Sequence, residues 1–143
     1  MPYDELLNSG RIRKESFSPE VVDRSLARAE RDLKAAAKML SEDLDWAFAM
    51  AYNAVLQAAR AYMFAQGYRP ASTEGHKNTF AFMSEAAEIE EKELISYFDR
   101  MRVKRHRATY EIAGLITETE AANLLEKAEG FVSFIKGKLE SGT

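Results

Sequence analysis

Residues 19–40 read PEVVDRSLARAERDLKAAAKML, and apolar side chains recur in them at alternating steps of four and three residues. The apolar positions are Val22, Leu26, Ala29, Leu33, Ala36 and Leu40. This spacing is typical of one face of an α-helix, with charged side chains on the other faces. Ser18, Pro19 and Glu20 supply a capping residue, a proline in the first turn and an acid near the helix dipole. The pattern predicts a long amphipathic helix that packs against other helices.

A second helix follows, and its composition places it at the centre of the fold. Asp43 or Asp45 can cap its start, and Gly67 ends it. The many alanines between these points allow neighbours to approach on several sides, which favours a buried helix. A loop is predicted for residues 67–75.

The rest of the chain is also helical in pattern. Helices are predicted for residues 77–90, for residues 91–116 and for the segment after Thr117, which forms a capping box with Glu120. A short helical turn is indicated at residues 4–8, and strand signals are weak throughout. The sequence therefore predicts an all-α fold, a five-helix and mostly up-and-down bundle that forms one domain over residues 1–143.

Composition narrows the class of protein. The chain has 143 residues, of which 46% are hydrophobic, and this is enough for one domain with a real core. The net charge of −3 does not favour nucleic acid or an anionic membrane as a partner of the whole molecule. Cysteine is absent, which excludes disulfides and thiolate metal sites. Residues 1–13 do not read as a signal peptide and residues 46–59 are too short for a membrane span, so we expect a cytoplasmic protein.

One segment is strongly basic. Residues 100–107 read RMRVKRHR, with five permanent positive charges and a histidine in an otherwise acidic chain. They lie inside a helical pattern whose inward positions are Leu94, Phe98, Met101, Arg105, Ala108, Ile112 and Leu115. Arg105 therefore stands where an aliphatic residue is expected. A guanidinium that faces a bundle interior is costly unless it is paired or lines a wet groove.

One face of the basic helix carries side chains that can bind a ligand. At 100° per residue, the side chains within an arc of about 140° are those of Arg102, Arg105, His106, Thr109 and Tyr110, whereas Arg100, Lys104 and Arg107 point elsewhere. Arginine forks bind phosphate oxygens, histidine exchanges protons near neutral pH, and tyrosine can stack on a base. The face predicts a site for a phosphate-bearing ligand. The alternative is that Arg105 pairs with an interior carboxylate and the remainder is a solvated surface.

Other polar and aromatic residues have simpler interpretations. Asn53 and Gln57, in the central helix, are the expected interior partners of Arg105, which makes Asn53 a candidate ligand-binding residue; alternatively they satisfy each other or a backbone carbonyl. His76 is interpreted as a loop-closing or capping residue. The aromatic residues expected in the core are Trp46, Tyr52, Tyr62 and Tyr68. Two histidines without nearby carboxylates at ligand spacing indicate no metal site, and no cofactor motif is present.

Several segments, in order along nearly the whole chain, resemble the HEPN family. They are AERDLKAA (29–36), DWA (45–47), AYNA (51–54), RA (60–61), GYRP (67–70), GHK (75–77), DRMRVKRH (99–106) and Tyr110. The resemblance implies a helical bundle, a homodimer and a prokaryotic setting. It also implies that a minimal nucleotidyltransferase can be the partner, in a toxin–antitoxin pair.

Catalytic members of that family are metal-independent ribonucleases. Their site is an arginine, four to six residues and then a histidine, built across the homodimer. Arg100 and His106 have that spacing here but lie about 120° apart on an ideal helix, whereas Arg102 shares a face with His106. Active members often carry a tyrosine two positions after the histidine, where this chain has Ala108 and places its tyrosine at Tyr110. The pattern looks more like the branch with a degenerate motif.

Three hypotheses follow for the function. The first is a bundle whose basic face binds a nucleotide or RNA phosphate, or docks a nucleotidyltransferase. The second is an endoribonuclease toxin in which Arg100 or Arg102 stabilises the phosphorane and His106 transfers the proton. The third is a structural dimerisation module whose arginines only pair with carboxylates.

Overall fold

The computed structural model describes residues 2–142, and it is a bundle of α-helices with one small ribbon of strands. The helices are α1 (Asp4–Asn8), α2 (Pro19–Met39), α3 (Leu44–Ala65), α4 (Gly75–Ala86), α5 (Lys92–Tyr110) and α6 (Glu118–Glu140), with a single 3-10 turn at Ile89–Glu91 before α5. The strands are β1 (Ile12–Lys14) and β2 (Tyr68–Pro70). The predicted all-α class is confirmed. The predicted five helices correspond to α2–α6, and α1 adds a sixth, short helix to the count.

Helix α3 lies at the centre of the bundle, as its composition predicts. It packs against α2, α4, α5 and α6, and large side chains such as Phe48, Tyr52 and Val55 are fully buried on it. Alanines along α3 bring the neighbouring helices close, so the core is dense. Among the helices described, α3 included, none is long and apolar enough to cross a membrane.

The start of α3 confirms one prediction and corrects another. The Asp43 carboxylate caps the helix by accepting a hydrogen bond from the Trp46 backbone N–H at 3.1 Å. The prediction that Trp46 belongs to the core is wrong, since 58% of this residue is exposed. The indole lies in the first turn of α3, before the helix enters the bundle. At the start of α2, Ser18 holds the capping position, although its side chain makes no capping hydrogen bond.

The two strands are a feature that the sequence pattern does not predict. β1 pairs antiparallel with β2, with Ile12 opposite Pro70 and Lys14 opposite Tyr68. Strands of three residues are too short to show an alternating pattern, so the sequence of residues 67–75 indicates only a loop. The fully buried Ile12 anchors the ribbon in the core. The ribbon holds the segment that leads into α4.

Helices α4 and α5 end earlier than predicted. α4 covers Gly75–Ala86 instead of residues 77–90, and the capping box at the 3-10 turn follows it. α5 stops at Tyr110, so Ile112 and Leu115 are outside the helix. Gly114 adopts a positive φ of 77° and donates its backbone N–H to the Asp45 carboxylate at 3.0 Å. This tertiary contact draws the chain away from the helix axis.

The capping box at the start of α6 is present as predicted. Thr117 accepts a hydrogen bond from the Glu120 backbone N–H at 3.1 Å, and Glu120 accepts one from the Thr117 N–H at 3.0 Å. The Glu120 carboxylate also forms an ion pair with Lys104 of α5. Helix α5 is therefore tied to the first turn of α6.

The packing of α5 on the core can be tested with Phe98, which is fully buried and meets Phe131 of α6 with ring centres 5.2 Å apart. Phe98→Ala is expected to lower the free energy of unfolding by about 3–5 kcal/mol, because it leaves a cavity. Ile89→Ala is the control, since Ile89 is 85% exposed, and a change within about 0.5 kcal/mol is expected. Urea denaturation measures both. Similar losses of stability in the two variants would contradict this packing.

Candidate functional site

The cationic face of α5 forms one wall of a cleft, and the first turn of α4 forms the other. The cleft has a volume of about 400 Å³ and is called the α4–α5 cleft below. Its lining residues are Glu74, Gly75, His76, Lys77, Arg102, Arg105, His106 and Tyr110. The structure therefore brings together four of the five residues predicted for this face. The fifth, Thr109, is exposed and does not line the cleft.

Arg105 is half-buried on this face, and an aromatic ring is its neighbour. Its Cζ atom is 5.5 Å from the centre of the Tyr52 ring, a cation–π contact. No ion pair joins Arg105 to a carboxylate within residues 2–142, and its buried Nε has no hydrogen-bond partner there. The guanidinium is thus held by the aromatic face and keeps hydrogen-bonding capacity for a ligand. Asn53, its expected partner, is half-buried on α3 and does not line the cleft.

Tyr52 joins the cleft to the core. Its hydroxyl lies 3.0 Å from His76 Nδ1, although the tyrosine itself is fully buried. Burial raises the pKa of Tyr52 well above its ordinary value, so the hydroxyl stays protonated and can donate this hydrogen bond. A donor at Nδ1 favours the neutral tautomer of His76 with the proton on Nε2.

His76 lines the cleft, whereas the sequence predicts a loop-closing or capping role for it. Burial, followed by the positive charges of Arg60, Arg105 and Arg102, lowers its pKa to about 4. His76 is therefore neutral at pH 7, and it can donate from Nε2 but does not add a positive charge. The helical spacing of residues could not reveal this role, because the contact of His76 with Tyr52 joins α4 to α3. The GHK segment at 75–77 is the only signal of it in the sequence.

Arg60 on α3 lies behind Gly75 without lining the α4–α5 cleft, and the sequence pattern does not single it out. Its Nε atom is buried without a hydrogen-bond partner among the described residues, and burial lowers the pKa of its guanidinium. Gly75 lies against it: a Cβ at this position would be 3.4 Å from Arg60 Nη2. The first turn of α4 therefore lies close to this guanidinium.

Two further arginines of α5, Arg102 and Arg100, lie in different places. Arg102 donates from Nε to Asp99 Oδ1 at 2.8 Å, which fixes the guanidinium at the cleft and leaves its terminal N–H groups available. Arg100 lies elsewhere, with Nη1 3.1 Å from Ser96 Oγ and Cζ 6.0 Å from the Tyr97 ring centre. The structure does not bring Arg100 to the cleft that holds His106.

His106 and Tyr110 form the outer part of the cleft. One turn apart on α5, their rings have centres 4.9 Å apart at an angle of 50°. Both side chains are exposed, with 69% of Tyr110 accessible. An exposed imidazole and phenol are therefore presented beside two guanidiniums.

The electrostatics of the cleft favour an anion. Lys77, Arg102 and Arg105 line it, and Glu74 is the single carboxylate residue of the lining. Within the described part of the chain, no group of three or more His, Asp or Glu side chains is arranged to hold a metal ion. The groups present can bind phosphate oxygens through guanidinium forks and can offer a titratable imidazole to a reacting oxygen.

Comparison with known proteins gives a family relationship. The model of the HEPN domain family matches residues 22–138, which is well over half of the chain and includes every α5 residue of the cleft. No curated protein sequence matches this one.

The environment of His76 predicts a dependence of stability on pH. The ordinary pKa of histidine is about 6.5, so between about pH 6.5 and pH 4 the unfolded chain binds a proton at His76 that the folded chain does not. The free energy of unfolding should therefore fall as the pH is lowered through this range. His76→Gln, which does not titrate, should show a smaller fall between pH 7.5 and 5 in urea denaturation. An identical fall in both proteins would contradict the assignment.

Proposed function

Because this chain belongs to the HEPN domain family, we propose that its α4–α5 cleft binds the phosphate groups of a nucleotide or RNA. The observation that carries the proposal is Arg105, whose guanidinium is held over Tyr52 with a buried Nε that has no protein partner among residues 2–142. Arg105 is half-buried and has no carboxylate counter-ion among these residues, and a phosphate bound in the cleft would supply one.

The neighbours of Arg105 support the same ligand class. Arg102 is oriented by Asp99, so its remaining donors are held toward the cleft with little entropy left to lose. The exposed ring of Tyr110 offers a stacking surface for a base, and the neutral His76 offers a hydrogen-bond donor. Together these groups suit phosphate oxygens with a base attached.

We further propose that the protein forms a homodimer through the surface beside this cleft. Val103, Tyr110 and Ile112 are large hydrophobic residues that are 43–69% exposed at the C-terminal half of α5 and just after it. Large apolar side chains exposed along one part of a helix favour an interface with another protein. A minimal nucleotidyltransferase, as in a toxin–antitoxin pair, is the other partner class that the family relationship suggests for this surface.

A metal-independent endoribonuclease is the second candidate function, and the position of His106 favours it. The imidazole shares the cleft with Arg102 and Arg105 and is open to solvent. In such a reaction the 2′-hydroxyl of RNA would attack the adjacent phosphorus, and His106 would take its proton or protonate the leaving 5′-oxygen. Arg102 would stabilise the charge of the phosphorane, a role that Arg100 could not fill from its place beside Tyr97.

Binding can be tested with a matched pair of charge removals on α5. Arg102→Gln is expected to weaken the affinity for a labelled single-stranded RNA roughly tenfold or more, because a charge-assisted hydrogen bond contributes about 1.5–3 kcal/mol. It should also reduce the salt slope by about 0.7 for each phosphate that the variant no longer neutralises. Arg107→Gln removes the same charge from an exposed position outside the cleft and should have little effect. Fluorescence anisotropy in EDTA measures both affinities, and an equal weakening in the two variants would contradict a site in this cleft.

The second candidate predicts a different result for His106. Labelled tRNA and total RNA are incubated in EDTA with the wild-type protein and with His106→Ala. A binding protein leaves the RNA intact in both samples, which is the expected result. If the cleft is a ribonuclease site, the wild-type protein cleaves RNA and His106→Ala does not, because the variant lacks the proton-transfer group. Cleavage by both proteins would mean that His106 is not the catalytic residue.

A further inference from the structure

A second cleft adjoins the α4–α5 cleft, and the two share Gly75 and His76 in their linings. It has a volume of about 470 Å³ and is called the Arg60 cleft below. Arg60, Arg69 and the aromatic residues Phe17 and Phe64 also line it. Both clefts are within the range of about 300–1,000 Å³ that is usual for ligand sites in proteins.

The Arg60 cleft offers its own positive charges. Arg60 is half-buried, and its Nε is buried without a partner among the described residues, as is the Nε of Arg105 in the first cleft. Arg69 contributes a second guanidinium, whose Nη1 is 3.5 Å from Glu15 Oε1. A partly exposed ion pair of this length is weak, so Arg69 can exchange its partner for a phosphate at little cost.

The same cleft also has an apolar wall. Phe17 and Phe64 pack with ring centres 4.4 Å apart and an angle of 34° between the rings, and both are half-buried. Half-buried aromatic rings next to guanidiniums are the surface on which bases of single-stranded nucleic acids stack, and this stacking is tolerant of sequence.

The two clefts meet at Gly75 and His76, which line both of them. A Cβ at residue 75 would lie 3.4 Å from Arg60 Nη2, so the first turn of α4 approaches this guanidinium closely. Arg102 and Arg105 line the cleft on one side of these shared residues, and Arg60 and Arg69 line the cleft on the other side.

We propose that the two clefts form one continuous path for single-stranded RNA, in which the α4–α5 cleft holds one nucleotide and the Arg60 cleft holds the next, with a base against Phe17 and Phe64. The proposal rests on the proposed function, because it extends the ligand of the first cleft. The ligand of the proposed path is an oligonucleotide of at least two residues and not a mononucleotide. The phosphate between the two nucleotides passes Gly75 within reach of Arg60.

Two probes separate the clefts in a binding experiment. Uridine 3′-phosphate can occupy the α4–α5 cleft alone, whereas an oligouridylate of about six residues can reach both. We expect Arg69→Gln and Phe17→Leu each to weaken binding of the oligonucleotide roughly tenfold while changing the affinity for uridine 3′-phosphate less than about twofold. Arg107→Gln and Phe134→Leu are the matched controls, since both side chains are exposed outside the two clefts. Isothermal titration calorimetry measures all the affinities.

The outcomes distinguish this inference from the proposed function. If Arg102→Gln weakens both probes while Arg69→Gln and Phe17→Leu leave the oligonucleotide affinity unchanged, the second cleft is not used and the inference is wrong. If the wild-type protein binds neither probe, the proposed function fails and the inference fails with it. Circular dichroism of each variant establishes that it is folded, and Arg69 is a surface position whose change leaves the core intact.

Discussion

The hydroxyl of Tyr52 is the constraint on which the arrangement of the site depends. A buried hydroxyl must have a hydrogen-bond partner, and the ring that carries it is fully enclosed in the bundle. His76 Nδ1 provides that partner and so fixes the first turn of α4 against α3. The face of the same ring receives the guanidinium of Arg105 from α5. One side chain of the central helix thereby sets the positions of two neighbouring helices and of the cleft between them.

The charge distribution explains how an acidic protein can present a site for anions. The net charge is −3, so the cationic character is local and not a property of the whole molecule. Several basic side chains of α5 are already engaged: Lys104 with Glu120, and Arg100 with Ser96 and Tyr97. Two arginines face α4: Arg105 contacts the ring of Tyr52, and Arg102 pairs with the carboxylate of Asp99. The helix therefore directs two of its arginines, Arg102 and Arg105, into the α4–α5 cleft and engages Lys104 and Arg100 outside it.

Much of this architecture could be predicted from the sequence, and the failures have a common physical cause. Periodicity predicts the helices and the face of α5 because both are properties of one continuous segment. The anomaly of Arg105 on an apolar seam also marks a residue that lines the cleft. The contact of Arg105 with the ring of Tyr52 could not be predicted, because the spacing of residues along one helix does not show which ring of another helix a cation contacts. His76, Arg60 and the end of α5 depend on contacts between distant segments, such as the one from Gly114 to Asp45, which leave no local signal.

One lining residue of the Arg60 cleft comes from a different part of the chain than the rest. Arg60, Phe64 and Arg69 belong to residues 22–138, the region that matches the family, whereas Phe17 precedes it. The preceding segment is attached through the β1–β2 ribbon and through the contact of Phe17 with Phe64. Substitutions in this segment would alter what lies beside Arg60 and would leave the Tyr52 contacts unchanged. The surroundings of Arg60 and the contacts of Arg105 thus depend on separate segments, and selection could change one without rebuilding the other.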